Sequence, residues 1–130
     1  VARNPKAKMR AQIPTITNGE NWIELSWIDA SNYIYLKAVS GGNWQLITAS
    51  GGSVTTTDTG VALNASWHIY EIRAQTGQVT AYIDGTLVAT NTTNVPTGAG
   101  RFSIYVYATN SGGAKVLNLD AFQFLSARAT

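Results

Sequence analysis

Apolar side chains in this chain recur at every second residue, and no stretch shows the 3.6-residue spacing of an amphipathic helix, so the chain is restricted to sheets. In residues 6–13, KAKMRAQI, one face collects Ala7, Met9, Ala11 and Ile13 while the other collects Lys6, Lys8, Arg10 and Gln12. That is a half-buried strand, closed by Pro14, which lacks a backbone donor. Segments rich in Val, Ile, Thr, Tyr and Trp follow at 21–29, 33–39, 44–49, 53–59, 67–74, 78–83, 87–90, 101–108 and 115–125, parted by Gly, Asn, Asp and Ser. About ten strands at this spacing predict an all-β sandwich or barrel.

Pairing 21–29 with 33–39 across a tight Ala30-Ser31 turn predicts a register. Trp27 falls opposite Ile34, Leu25 opposite Leu36 and Ile23 opposite Ala38 on a core face, while Glu24 meets Lys37 and Ser26 meets Tyr35 on a wet one. The Thr-rich run 53–59 has few apolar residues and reads as an edge strand. Asp84-Gly85 is the strongest turn signal, compatible with a hairpin loop of two or three residues. Residues 115–125 carry apolar side chains on both faces, which predicts a central strand.

The 130 residues suit one domain, 1–130. Only 12% are charged, and the net charge of +2 comes from basic residues scattered along the chain, so the balance points neither to nucleic acid nor to membrane insertion. With no cysteine there is no disulfide framework and no thiolate metal site. No apolar run approaches the roughly 18 residues of a spanning helix, and residues 1–10 lack the apolar core of a signal peptide. A soluble chain without an address is expected.

Four segments carry a family resemblance: TDTGVAL at 57–63, Trp67-His68, VTAYIDGTLVATNTTNVPTG at 79–98, and KVLNLDAFQF at 115–124. Together they resemble the concanavalin A-like lectin/glucanase domain that recurs in structural and tail-fibre proteins of tailed bacteriophages. The resemblance implies a two-sheet antiparallel jelly-roll sandwich lacking one or two N-terminal strands, which a neighbouring polypeptide or a longer chain would supply. It also implies a non-enzymatic virion-associated module in a fibre, tail or capsid decoration, at the virion surface or outside the cell, that assembles with itself or with neighbouring virion proteins. The alternative is a carbohydrate-binding module, because this fold hosts lectins, hydrolases and inert modules alike.

The residues bear on that choice. Glucanases need two carboxylates converging on one bond; Glu20 and Glu24 are four residues apart, about 13 Å along a strand, which argues against catalysis. His68 is the sole histidine and has no nucleophile motif beside it, so it reads as a packed or surface residue. Asp58, Asp84 and Asp120 raise calcium as a cofactor, yet the first two precede turn glycines and bond backbone, and Asp120 suits a backbone or arginine partner. No cofactor is expected. Trp22, Tyr33, Tyr35, Tyr105 and Tyr107, with Glu24 and Lys37, form the candidate surface for a glycan or a partner. Trp27, Trp67 and Phe102 are assigned to the core. Lys6, Lys8 and Arg10, without interleaved aromatics, read as a solvated face. Asn64-Ala65-Ser66 and Asn91-Thr92-Thr93 match the glycosylation acceptor pattern, a frequent chance match in so Thr-rich a chain.

Overall fold

The computed structural model describes residues 4–14, 19–98, 101–108 and 116–125, and for 19–27 and 101–108 it describes the backbone alone. Ten strands are present among them: β1 Lys6–Gln12, β2 Gly19–Asp29, β3 Asn32–Val39, β4 Asn43–Ser50, β5 Ser53–Ala62, β6 Trp67–Gln75, β7 Gln78–Ile83, β8 Thr86–Asn91, β9 Arg101–Ala108 and β10 Asn118–Leu125. They form two antiparallel sheets of five, in the orders β10-β1-β6-β7-β8 (the first sheet) and β5-β4-β3-β2-β9 (the second). This is the all-β sandwich expected from the alternation, in the two-sheet jelly-roll form that the resemblance implies.

The core is the meeting of the two inner faces. Ala7, Met9 and Ala11 on β1, Tyr70 and Ile72 on β6, and Val79, Ala81 and Ile83 on β7 pack toward Ile34, Leu36, Ala38, Trp44 and Leu46 of the other sheet. The Trp44 and Tyr70 rings lie 4.8 Å apart across the gap. Burial and the nearby Asp84 carboxylate hold the Tyr70 phenol in its neutral form, pushing its pKa up. Fully buried side chains of this size each contribute roughly 1.5–3 kcal/mol.

One polar residue crosses the core. Asn91, 2% exposed at the end of β8, donates from Nδ2 to Thr48 Oγ1 at 3.1 Å and to the Leu46 and Thr55 carbonyls at 3.3 Å, and accepts from Thr57 Oγ1 at 2.6 Å. A buried amide satisfied on both ends costs little and fixes the sheets relative to each other. Attachment of a sugar there would require unfolding; the exposed Asn64 instead accepts from the Ser66 amide and from His68.

Several expectations change. The turn of the β2–β3 hairpin is at Ala30-Ser31, with Asp29 paired to Asn32, but β2 bulges between Trp27 and Asp29 and between Glu24 and Ser26. Each bulge adds one residue to β2, so Ile23 pairs Leu36, Glu24 pairs Tyr35, Trp22 pairs Lys37, and Trp27 stands across from Tyr33 instead of Ile34. The Asp84-Gly85 loop has two residues: Ile83 pairs Thr86, and φ is +52° at Asp84 and +80° at Gly85, the doubly left-handed turn that suits hairpin twist. β5 is an edge, as expected. β10 is also an edge, not a central strand: it pairs with β1 alone among the described strands, and every one of its residues is exposed. Two-sided apolarity misleads here: even the inner-face positions Leu119, Phe122 and Phe124 of this terminal strand are 42–47% exposed. Trp67 is likewise 39% exposed; it pairs Gln12, on the outer face of the first sheet. The side chain of Phe102 lies outside the described residues.

Candidate functional site

Alternation along β3 buries Ile34, Leu36 and Ala38 and turns Tyr33, Tyr35 and Lys37 outward. Cross-strand partners share a face, so the register extends these three residues into rows across the second sheet. Tyr33 lies between Ala49 of β4 and Trp27 of β2; Tyr35 lies between Ile47 and Glu24; Lys37 lies between Gln45 and Trp22. On the far side of β2, Trp22 pairs Tyr105 and Glu20 pairs Tyr107. The register thus brings the positions of all seven candidate residues onto adjacent strands β3, β2 and β9. Glu24 and Lys37 are not cross-strand partners, contrary to expectation. The side chains of Trp22, Glu24, Tyr105 and Tyr107 lie outside the described residues.

Tyr33 and Tyr35 stack, with ring centroids 5.0 Å apart and planes 16° from parallel. Each ring therefore covers one face of the other. Their β4 neighbours Ala49 and Ile47 are buried, at 0% and 7% exposure, although they point away from the core. The tip beside the ring pair is fixed: Asp29 Oδ1 accepts from the Ser31 amide at 2.7 Å and from Asn32 Nδ2 at 3.0 Å, and Asn32 Oδ1 accepts from the Gly51 amide at 3.0 Å. The Ser31 and Asn32 donors hold the Asp29 carboxyl below its ordinary range.

The other polar candidates are occupied by the protein itself. Asp58 Oδ1 accepts from the Gly60 amide at 2.7 Å and from Asn43 Nδ2 at 3.0 Å. Asp84 bridges the Ile69 amide at 2.9 Å and His68 Nδ1 at 2.6 Å, while His68 Nε2 lies 2.7 Å from Asn64 Oδ1. Burial raises the Asp84 pKa, but the bonds from His68 and Ile69 outweigh it and the net shift is downward. Asp120 is bonded by Arg10 Nη1 at 2.8 Å, the arginine partner expected for it. Among the described residues, no group of three His, Cys, Asp or Glu side chains could hold a metal ion.

Sequence reasoning missed a second constellation, on the outer face of the first sheet. Arg10 lies over the Trp67 ring at 4.6 Å, and Arg73 over the Tyr82 ring at 4.2 Å. Glu71, 4% exposed, accepts from Arg73 Nε at 2.7 Å and Lys6 Nζ at 3.0 Å. The alternation Trp67, Ile69, Glu71, Arg73 in WHIYEIRA was the available signal.

Comparison with solved structures finds the same architecture in several glycan-related proteins. Bacillus licheniformis β-glucanase superposes with a TM-score of 0.66 at 14% identity, over 93% of this chain and 64% of that one. The carbohydrate-binding module CBM66 from Bacillus subtilis gives 0.64 at 8% identity, over 93% and 74%. Sheep galectin-11, in complex with glycerol, gives 0.59 at 10% identity, over 94% and 90%. At such identities the likeness establishes the fold. None of these three is described as a virion protein, so the bacteriophage part of the expectation gains no support from them. No curated protein matches the chain. A family model does match, over residues 6–120, and by it the chain belongs to the family described as SO2946-like, C-terminal domain.

Proposed function

We propose that the outer face of the second sheet binds a glycan and does not cleave it. The observation that carries this reading is the Tyr33–Tyr35 stack beside Lys37, in register with Trp22 and Glu24. Aromatic rings pack against sugar faces, so a sugar ring can lie along the Tyr33–Tyr35 row while Lys37 and Gln45 bond its hydroxyls. Neighbours that include a carbohydrate-binding module and a galectin support it as analogy. The Cα atoms of Glu20 and Glu24, four residues apart on β2, are about 13 Å apart at strand rise, and neither carboxylate is given a catalytic role.

A glycan array followed by titration calorimetry tests it. Wild-type chain should bind at least one oligosaccharide at millimolar or tighter affinity and release no reducing ends, and Tyr35→Ala should weaken binding about tenfold, the loss of one aromatic contact of roughly 1.4 kcal/mol. Absence of binding at millimolar sugar across the array refutes the reading, and reducing-end release refutes the non-catalytic part.

A second reading, assembly at a particle or cell surface through the β10 edge, has one observation in its favour: Leu119 and Leu125 are 47% and 48% exposed on a strand paired on one side among the described strands. Sedimentation of the chain should then show a self-associating species that Leu119→Lys abolishes; a strictly monomeric chain removes this reading.

A further inference from the structure

We propose that the outer face of the first sheet is a second binding surface, for a polyanionic polysaccharide, separate from the tyrosine face. The cations Lys6, Lys8, Arg10 and Arg73 meet the two acids Glu71 and Asp120 there. Among the described residues that face therefore carries a surplus of two positive charges, as large as the net charge of the whole chain, +2.

The cations are positioned as well as concentrated. Arg73 is held over the Tyr82 ring and spends its Nε–H on Glu71. Arg10 is held on Trp67 and spends Nη1 on Asp120. Both Nη groups of Arg73, and Nε and Nη2 of Arg10, have no acceptor among the described residues, and the two side chains are each 43% exposed. A guanidinium immobilised by ring and carboxylate, with nitrogens left open, loses little entropy on taking a carboxylate or sulfate. Lys8 lies in the row between those of Arg73 and Arg10, exposed and without a partner among the described residues. Lys6, Lys8 and Arg10 repeat every second residue of β1, about 6.6 Å, which suits a polymer with recurring charge better than a single anion. Guanidiniums cover the Trp67 and Tyr82 faces, so bases cannot stack there as single-stranded nucleic acid requires. A surplus of two charges is also small beside the six to ten phosphate contacts typical of duplex binding.

Titrating the full chain with polygalacturonate and with dextran sulfate, against neutral dextran, tests this and separates carboxylate from sulfate recognition. At least one polyanion should bind, about tenfold more weakly when salt rises from 50 to 200 mM. Lys8→Glu should weaken binding about tenfold or more without changing the unfolding temperature, and Arg73→Lys, which keeps charge but not the fork, should weaken it at least about threefold. Lys37→Ala on the other sheet should leave it unchanged. If Arg73→Lys fails to fold, Lys8→Glu alone decides. Polyanion binding unaffected by Lys8→Glu overturns the proposal; so does binding of duplex DNA or phosphatidylserine vesicles as tightly as polysaccharide. Failure here with neutral-glycan binding intact would leave the tyrosine face standing.

Discussion

Replacing Asn91 by Ala should destabilise the fold far more than its Thr-like surroundings suggest. The side chain is 2% exposed and makes four bonds to two strands of the facing sheet, β4 and β5. Two of these, at 2.6 and 3.1 Å, are of good geometry; each contributes about 1 kcal/mol net, and their loss leaves the half-buried Thr57 hydroxyl without its acceptor, while the buried Thr48 hydroxyl keeps its bond to the Thr93 carbonyl. With the cavity left by the amide, the cost is about 3–4 kcal/mol. For 130 residues the unfolding entropy is about 0.27 kcal/mol/K, so the midpoint should fall by roughly 11–15 °C. Urea and thermal unfolding followed by circular dichroism measure this, with Thr90→Ala, exposed on the same strand, as a control expected within about 0.5 kcal/mol. A loss below about 1 kcal/mol for Asn91→Ala would mean that water replaces the amide at no cost and that the two sheets are not fixed by it.

Two further perturbations probe the turns and the charges. Gly85→Ala should cost about 1 kcal/mol by urea unfolding, because φ there is +80° although the added methyl meets open space; an unchanged midpoint would count against the two-residue turn. Burial raises the Glu71 pKa, but bonds from Arg73 and Lys6 lower it further, leaving it below the ordinary glutamate range. Its contribution is therefore complete above the unfolded-state value, about 4.3, and is lost as pH falls through the folded value. Glu71→Gln should flatten the stability profile in that acid range, and an acid limb identical to wild type would refute the assignment.

Period-two alternation made the strands, the edge position of β5 and the outward placement of Tyr33, Tyr35 and Lys37 legible, because it depends only on neighbours in sequence. What depends on pairing was harder to read. The two β2 bulges have no marker in ENWIELSWID, and they moved Glu24 from Lys37 to Tyr35 and Trp27 from Ile34 to Tyr33. The exposure of β10 depends on where a sheet ends. Arg10 and Trp67 are 57 positions apart, and β1 read by itself has no aromatic residue; the ring under the guanidinium comes from the neighbouring strand.

The two faces and the interior can be perturbed separately. Inner positions are spent on the core and on the Asn91 seam, so substitutions there alter stability and leave both outer surfaces chemically intact. Outer positions such as Tyr35 and Lys8 lie on strands whose ladder does not depend on their side chains, so their substitution should alter binding at nearly constant stability. Since Tyr35 and Lys8 lie on opposite sheets with the core between them, their effects should add. A Tyr35→Ala, Lys8→Glu double variant should therefore lose neutral-glycan binding by the Tyr35 factor and polyanion binding by the Lys8 factor, each unchanged by the other. Coupling between the two losses greater than about 0.5 kcal/mol would mean that one ligand spans an edge of the sandwich and touches both faces, and the two surfaces would then have to be treated as one site.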